Sequence, residues 1–301
     1  MLDTRFLEAL AAVVEEGGFD KGARRLHITQ SAVSQRIRNL EEQLGQVLVV
    51  RSVPPEPTEA GQKLIMHLRQ LQMMEHELGE SLGLKPAGEF VTLPLGVNAD
   101  TLATWFLDAM DEFLRENKIL PDIYVDDENR TYEMLKNGEV VGCIGTGAGA
   151  LKNCRSEYLA TFDYLCLSTA DFYEQWFRDG FTSETVCRAP TALFNRKDET
   201  QGRMFEKLFP GEKLVYPVCF VPSSEAFVDV LRRGLAYGMA PEFQVAEELA
   251  AGTLIEVIPQ GRVPVSLYWH SWNVETRLLN DLRNALVGYF SKESSSKNNN
   301  I

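Results

Sequence analysis

The chain has 301 residues, 45% hydrophobic content and a formal net charge of −13. That length suffices for two ordinary domains, or three if one is small, and no apolar run is long enough to span a membrane. The acidic balance excludes a molecule that holds polyanions over its whole surface, but not one with a local basic face.

The opening stretch MLDTRFLEALAAVVEEGG carries acids and lacks a basic region before a small-residue cleavage site, so it does not read as a signal peptide. A cytoplasmic location is the expectation. The five cysteines are widely spaced and form no CxxC pair, which suits reduced thiols rather than a disulfide framework or a zinc site. The four histidines show no metal-type pairing and read as surface or core-edge residues. No metal and no cofactor are expected.

Residues 1–57 read as three short helices and a wing. In TRFLEALAAVVEE, Phe6, Leu7, Leu10, Val13 and Val14 form one apolar stripe, ended by Gly17 and Gly18. Asp20 is placed to cap KGARRL, and Thr29 to cap a third helix. In that helix Val33, Ile37, Leu40 and Leu44 fall within about 40° of one line, with Ser31, Ser34, Gln35 and Arg38 opposite. Gly45 closes it. VLVVRSVPPEPT then suggests a short strand and a proline-rich wing.

Five Lys or Arg residues and no acid lie between Lys21 and Leu40. A helix with such a face suits the major groove, because Gln, Ser and Arg read base edges while Arg, Lys and Ser hold phosphates. Gln35 would pair with adenine, and Arg36 or Arg38 with guanine or phosphate. Thr29, Gln30, Ser31 and Ser34 belong to the same face. Lys21, Arg24 and Arg25 stand where backbone contacts occur. Arg51, the Pro54-Pro55 turn and Thr58 belong to the wing side of double-stranded DNA. The competing reading is a protein-interaction helix with a solvated face, against which the missing acids weigh.

Residues 58–90 read as a linker helix and hinge. Leu64, Leu68, Leu71, Leu78 and Leu82 follow heptad spacing, which reads as a dimerising seam. An amphipathic helix packed on its own chain is the alternative.

From Val91 strands and helices alternate, as VTLPLGV, TLATWFLDAMDEFLREN, DIYVD, RTYEMLKNG and VVGCIG. This βαβαβ order implies a parallel sheet. A second series begins at DYLCLS. The chain crosses between two α/β halves near residues 158–166 and 262–269. This gives a domain over 91–290, with lobe I at 91–160 and 267–290, lobe II at 161–266, and a cleft between them. Residues 291–301 read as a disordered tail.

Ligands of open parallel sheets sit at the carboxyl ends of strands. The loops there are Asn98 to Thr101, Asp126 to Arg130 and Gly145 to Gly149, including Thr146. Ser223 and Ser224 lie at a helix start in lobe II. Thr101 with Ser223 or Ser224 would hold a carboxylate. Asp100, Asp126, Asp127 and Glu128 form an acidic set suited to a cation. Capping accounts for any one of these residues taken singly. GTGAGA lacks the spacing of a dinucleotide fingerprint, and no nucleophile-and-base pattern is present, so an enzyme is not expected.

GARRLHITQSAVSQRIRNLEEQLG and LVVRSVPPEPTEAGQKL resemble the winged helix-turn-helix of LysR-type transcriptional regulators. VNADTLATWFL, DDENRTYEMLKNGEVVG, VPSSEAFV and LYWH resemble the branch of that family responsive to lysine or arginine. The resemblance implies an all-α winged helix-turn-helix domain joined to an α/β, two-lobed, periplasmic-binding-protein-like domain of mostly parallel sheets. It also implies a homodimer or homotetramer, an amino-acid effector, export or metabolism genes as targets, and contact with RNA polymerase. The sequence departs from the branch at Thr101, where serine is expected, and in the small residues after Thr146. A two-lobed small-molecule-binding protein or enzyme with a fused helical oligomerisation domain is the alternative.

Overall fold

The computed structural model describes residues 2–83, 90–126, 128–147 and 154–298. Helices α1 (Thr4–Glu15), α2 (Phe19–Arg25) and α3 (Gln30–Leu44) form the first unit. Their apolar stripes converge, with Leu7, Leu10, Val13, Val33, Ile37 and Leu40 all buried. Each such side chain contributes about 1.5–3 kcal/mol when removed from water. Thr29 caps α3, its Oγ1 accepting the Ala32 N–H at 3.2 Å, and Gly45 ends it with φ +66°. Asp20 does not cap α2: the helix starts at Phe19, two residues before the expected Lys21, and Asp20 sits in its first turn, 3.4 Å from Arg24.

The wing is the antiparallel pair β1 (Val49–Val50) and β2 (Glu56–Pro57). Helix α4 (Glu59–Ser81) follows, capped by Thr58, whose Oγ1 accepts the Gly61 N–H at 3.1 Å. A Cβ at Gly61 would lie 2.0 Å from the Leu48 carbonyl oxygen, so glycine allows α4 to seat against the wing. Ile65 and Leu68 are buried in the three-helix core, with Leu64 packed against it. Half of the expected seam is therefore spent within the chain. Leu71 is half-buried, while Met74, Leu78 and Leu82 are exposed.

The second unit begins with β3 (Val91–Val97), α5 (Ala99–Ala103), α6 (Phe106–Glu116), β4 (Ile119–Val125), α7 (Glu128–Lys136) and β5 (Gly142–Gly145). β3 pairs in parallel with both β4 and β5, as the alternation predicts. The long strand β6 (Cys154–Ser168) then leads to α8 (Ala170–Trp176), α9 (Ser183–Val186), β7 (Thr191–Leu193), α10 (Thr200–Leu208), β8 (Val218–Phe220) and α11 (Ser224–Arg232). The chain closes with β9 (Gly238–Pro241), α12 (Ala246–Ala251), β10 (Ile255–Glu256), β11 (Val263–Trp272) and α13 (Arg277–Asn298). The last helix passes Ser291 into the segment expected to be disordered.

β6 and β11 run antiparallel through both halves, and their register shifts between Leu267 and Tyr268. β11 also joins β5, and β6 joins β9 and β10, so one sheet threads both lobes. β7 and β8 form a separate parallel pair. Close approach at the centre demands small residues: a Cβ at Gly142 would lie 2.2 Å from the ring of the buried Trp269.

Candidate functional site

The first candidate site is the outer face of α3. Gln30, Ser31, Gln35 and Arg38 are exposed, and Ser34 and Arg36 half-buried. Ser31 Oγ lies 3.0 Å from Thr29 Oγ1, and Gln35 Nε2 donates to Asn39 Oδ1 at 2.7 Å. The polar face is thus presented outward by the same amphipathicity that docks the apolar stripe. Lys21 is exposed beside it, as is Arg51, whose guanidinium lies 5.5 Å from the Phe19 ring centroid.

Arg24, exposed, pairs with Asp20 at 3.4 Å and Thr29 caps α3, and three further expected members are otherwise engaged. Arg25 Nη1 is 2.6 Å from Glu15 Oε2 and 3.4 Å from Glu16, and Glu15 also holds Arg69 of α4 at 2.7 Å. Burial alone would raise the Glu15 carboxyl, but the hydrogen bonds and charges of Arg69 and Arg25 outweigh it and hold it below its ordinary value. Pro55 is buried and presents nothing to a ligand. Thr58 donates its hydroxyl to the Val47 carbonyl at 2.8 Å as well as capping α4, so it is structural.

The second candidate site lies where the strands of the two lobes end. Asn98 Oδ1 accepts the Thr101 N–H at 2.8 Å, so Asn98 acts as the cap of α5. Thr101 is 1% exposed, and its hydroxyl has no hydrogen-bond partner among the described residues. Ser223 caps α11, accepting the Ala226 N–H at 3.3 Å. Asp126 is exposed at the end of β4, and Thr146 is half-buried after β5. Asp127 and the side chain of Glu128 lie outside the described residues.

Asp100 is not an open acid facing a cation. Its Oδ2 accepts the Tyr164 hydroxyl and its Oδ1 the Ser224 hydroxyl, each at 2.7 Å. Ser224 is buried and accepts a further bond from Gln244 Nε2 at 2.9 Å. Burial pushes the Asp100 carboxyl up; the two hydroxyls pull against that, and the charges of Asp198 and Glu225 reinforce it. Asp100 and Ser224 therefore form a hydrogen-bonded latch between α5 and α11.

Two features escaped the sequence reading. Residues 194–198 occupy, after β7, the place that residues 98–101 occupy after β3. There Asp198 accepts the Phe194 and Thr200 N–H groups at 3.1 and 3.0 Å. The shared position after a parallel strand was the available signal. The second is His270, expected at the surface or core edge and found fully buried. Its Nε2 lies 2.9 Å from the Tyr132 hydroxyl and its Nδ1 2.6 Å from Ser156 Oγ. Tyr132 in turn accepts the Gly147 N–H at 2.9 Å. A Cβ at Gly145 would lie 2.6 Å from that hydroxyl, so the glycine admits the tyrosine.

Comparison with known proteins places both units. Residues 4–62 match the bacterial regulatory helix-turn-helix protein, lysR family, and residues 87–291 match the LysR substrate binding domain. The chain is 42% identical over 292 residues to the HTH-type transcriptional regulator ArgP of Escherichia coli K12, covering 96% of this chain and 97% of that protein. It is similar to the crystal structure of ArgP from Mycobacterium tuberculosis, with a TM-score of 0.87, 35% identity and coverage of 96% and 97%. It is also similar to full-length LysG from Corynebacterium glutamicum with bound effector Arg, with a TM-score of 0.79, 30% identity and coverage of 97% and 99%. These relatives are named as regulators, not enzymes. An outward polar recognition helix, a two-lobed domain and matches to both family domains together make this chain a member of the LysR family of DNA-binding transcriptional regulators.

Proposed function

We propose that this regulator closes its lobes on a basic amino acid, lysine or arginine, and thereby changes its hold on operator DNA. The observation that carries the reading is the acidity of the cleft. Asp198 and Glu225 lie near enough to raise the Asp100 carboxyl, and Asp126 is exposed at the neighbouring strand end. A cationic side chain relieves that repulsion, and a charged hydrogen bond to one acid contributes about 1.5–3 kcal/mol. Thr101, buried at the start of α5, and the Ser223 corner suit the α-carboxylate. The bound arginine of the related LysG supports the same class.

In this reading α3 enters the major groove, two chains associate into a homodimer or homotetramer, and closure alters DNA bending and contact with RNA polymerase in the cytoplasm. Amino-acid export or metabolism genes are the targets. The exposed Met74, Leu78 and Leu82 supply the part of the α4 seam left for a partner. A gel-shift and footprint on the gene's own upstream region, with and without lysine or arginine, tests it. Altered affinity or footprint length is expected. A footprint indifferent to both amino acids, together with no calorimetric binding of either, would overturn the effector reading.

A further inference from the structure

A cavity of about 490 Å³ lies where α5 and α6 of lobe I meet α11 of lobe II and the C-terminal helix α13. Its apolar wall is a connected set of rings. Trp105 meets Phe290 edge-on at 4.6 Å, Phe290 lies 5.7 Å from Phe162, and Phe162 lies 4.4 Å from Phe243. Two carboxylates line it as well, Asp108 from α6 and Glu225 from α11. Both residues are exposed, and neither has a cationic partner among the described residues. The one cation in the lining, Arg232, is paired with Glu248.

Aromatic faces and unpaired carboxylates together recognise one kind of guest. It is positively charged, so that it meets the acids and the negative faces of the rings. It has an apolar body, so that it covers the wall. It gains nothing from a carboxylate of its own, because Arg232 is already neutralised. We propose that this cavity is a second ligand site, distinct from the amino-acid cleft, for a small organic amine that lacks a carboxyl group. The guest would touch the α5–α6 corner of lobe I and α11 of lobe II at once. Gln244, which donates to Ser224 of the latch, also lines the cavity. Occupancy therefore favours the latched arrangement of the lobes and modulates the response to the amino acid.

The test is calorimetry and tryptophan fluorescence on the full-length protein with 2-phenylethylamine, in the absence and presence of saturating arginine. Sodium benzoate, of similar shape and opposite charge, is the control. Saturable binding of one amine per chain is expected, undiminished by arginine, with no binding of benzoate. The variant Asp108→Asn should weaken the amine at least about tenfold, while the affinity for arginine stays within about twofold. The Asp108 side chain is exposed, so the variant is expected to fold, and an unchanged melting temperature checks this. No saturable signal up to about 10 mM would overturn the proposal. So would equal binding of benzoate, displacement of the amine by arginine, or full affinity in the Asp108→Asn variant. If arginine itself does not bind, the amine titration still decides this site by itself.

Discussion

Asp100 and Ser224 stand 124 residues apart in the chain, in different lobes, and their side chains meet at 2.7 Å. The carboxylate accepts from the hydroxyls of Ser224 and Tyr164, and Ser224 keeps a second bond from Gln244. Removing it with Asp100→Ala leaves the buried Tyr164 hydroxyl without this acceptor, at about 1–3 kcal/mol, and deprives Ser224 of one of its two bonds. Asp100→Asn keeps an acceptor for one hydroxyl and offers a donor to the other. We expect a clear fall in melting temperature for the alanine variant and none for asparagine. Equal losses in both would show that charge, not the latch, matters.

The same residue gives a signed pH dependence. A carboxyl raised in the folded state binds its proton more tightly there than in the unfolded chain. Folding is therefore favoured as pH falls through the raised folded value towards the ordinary carboxylate range. The contribution levels off below that range. Asp100→Asn should remove this component from a plot of melting temperature against pH. Glu15 works in the opposite sense, since its carboxyl is held low. Its stabilisation is present above the ordinary range and is lost as pH falls through its depressed value. Glu15→Gln should make the protein less stable near neutrality and less sensitive to acid.

On the DNA face, Arg38→Ala and Lys21→Ala should differ in kind. Loss of a bidentate base contact costs about 1–3 kcal/mol and relaxes preference at one position. Loss of a phosphate contact weakens all sequences alike and lowers the salt slope by about one. Competition binding against single-base operator variants, repeated at several salt concentrations, separates the two. Arg25→Ala should also loosen the link between α1, α2 and α4 through Glu15, which a lowered melting temperature would register.

Thr101→Val preserves shape and removes a hydroxyl that has no partner within the described chain. Affinity for lysine or arginine should fall about tenfold, Thr101→Ser should restore it, and operator binding without effector should not change. Titration calorimetry reads the first two and a gel-shift the third.

Tyr132→Phe leaves the Gly147 N–H and one His270 nitrogen without the phenol. A stability loss of about 1–3 kcal/mol is expected in denaturant melts. Ser156→Ala, which releases only the other His270 nitrogen, should cost less.

What was legible in the sequence followed from local periodicity. Val33, Ile37 and Leu40 repeat at helical spacing, so the buried stripe of α3 and its opposing face were fixed together. Thr29 and Gly45 marked the ends because capping chemistry acts within one turn. The βαβ runs of lobe I were readable for the same reason. Partners distant in the chain were not. Tyr164 and Ser224 close on Asp100 from 64 and 124 residues away, and no local pattern tells a latch acid from a ligand acid. His270 meets Tyr132 and Ser156 across 138 and 114 residues. The antiparallel crossing of β6 and β11 is equally long-range. Leu68 failed differently, because heptad spacing is identical whether the seam faces a second chain or the helix's own domain.

The position of α4 has a mechanical consequence. Its first half is sunk in the winged-helix core. Within that same half, Gln62 and Arg69 bond the carbonyls of Asn137 and Gly138 in lobe I, and further along Glu77 accepts the Arg277 N–H at 3.0 Å. Among the described residues, one rod thus bonds to both the reading head and the sensor. Torque from the sensor reaches the groove as a swing of the head, and one residue inserted between Arg69 and Glu77 would turn the two sets of sensor contacts about 100° against each other. The rod's pitch, as much as any base contact, then dictates which spacings of paired sites the assembled protein can straddle.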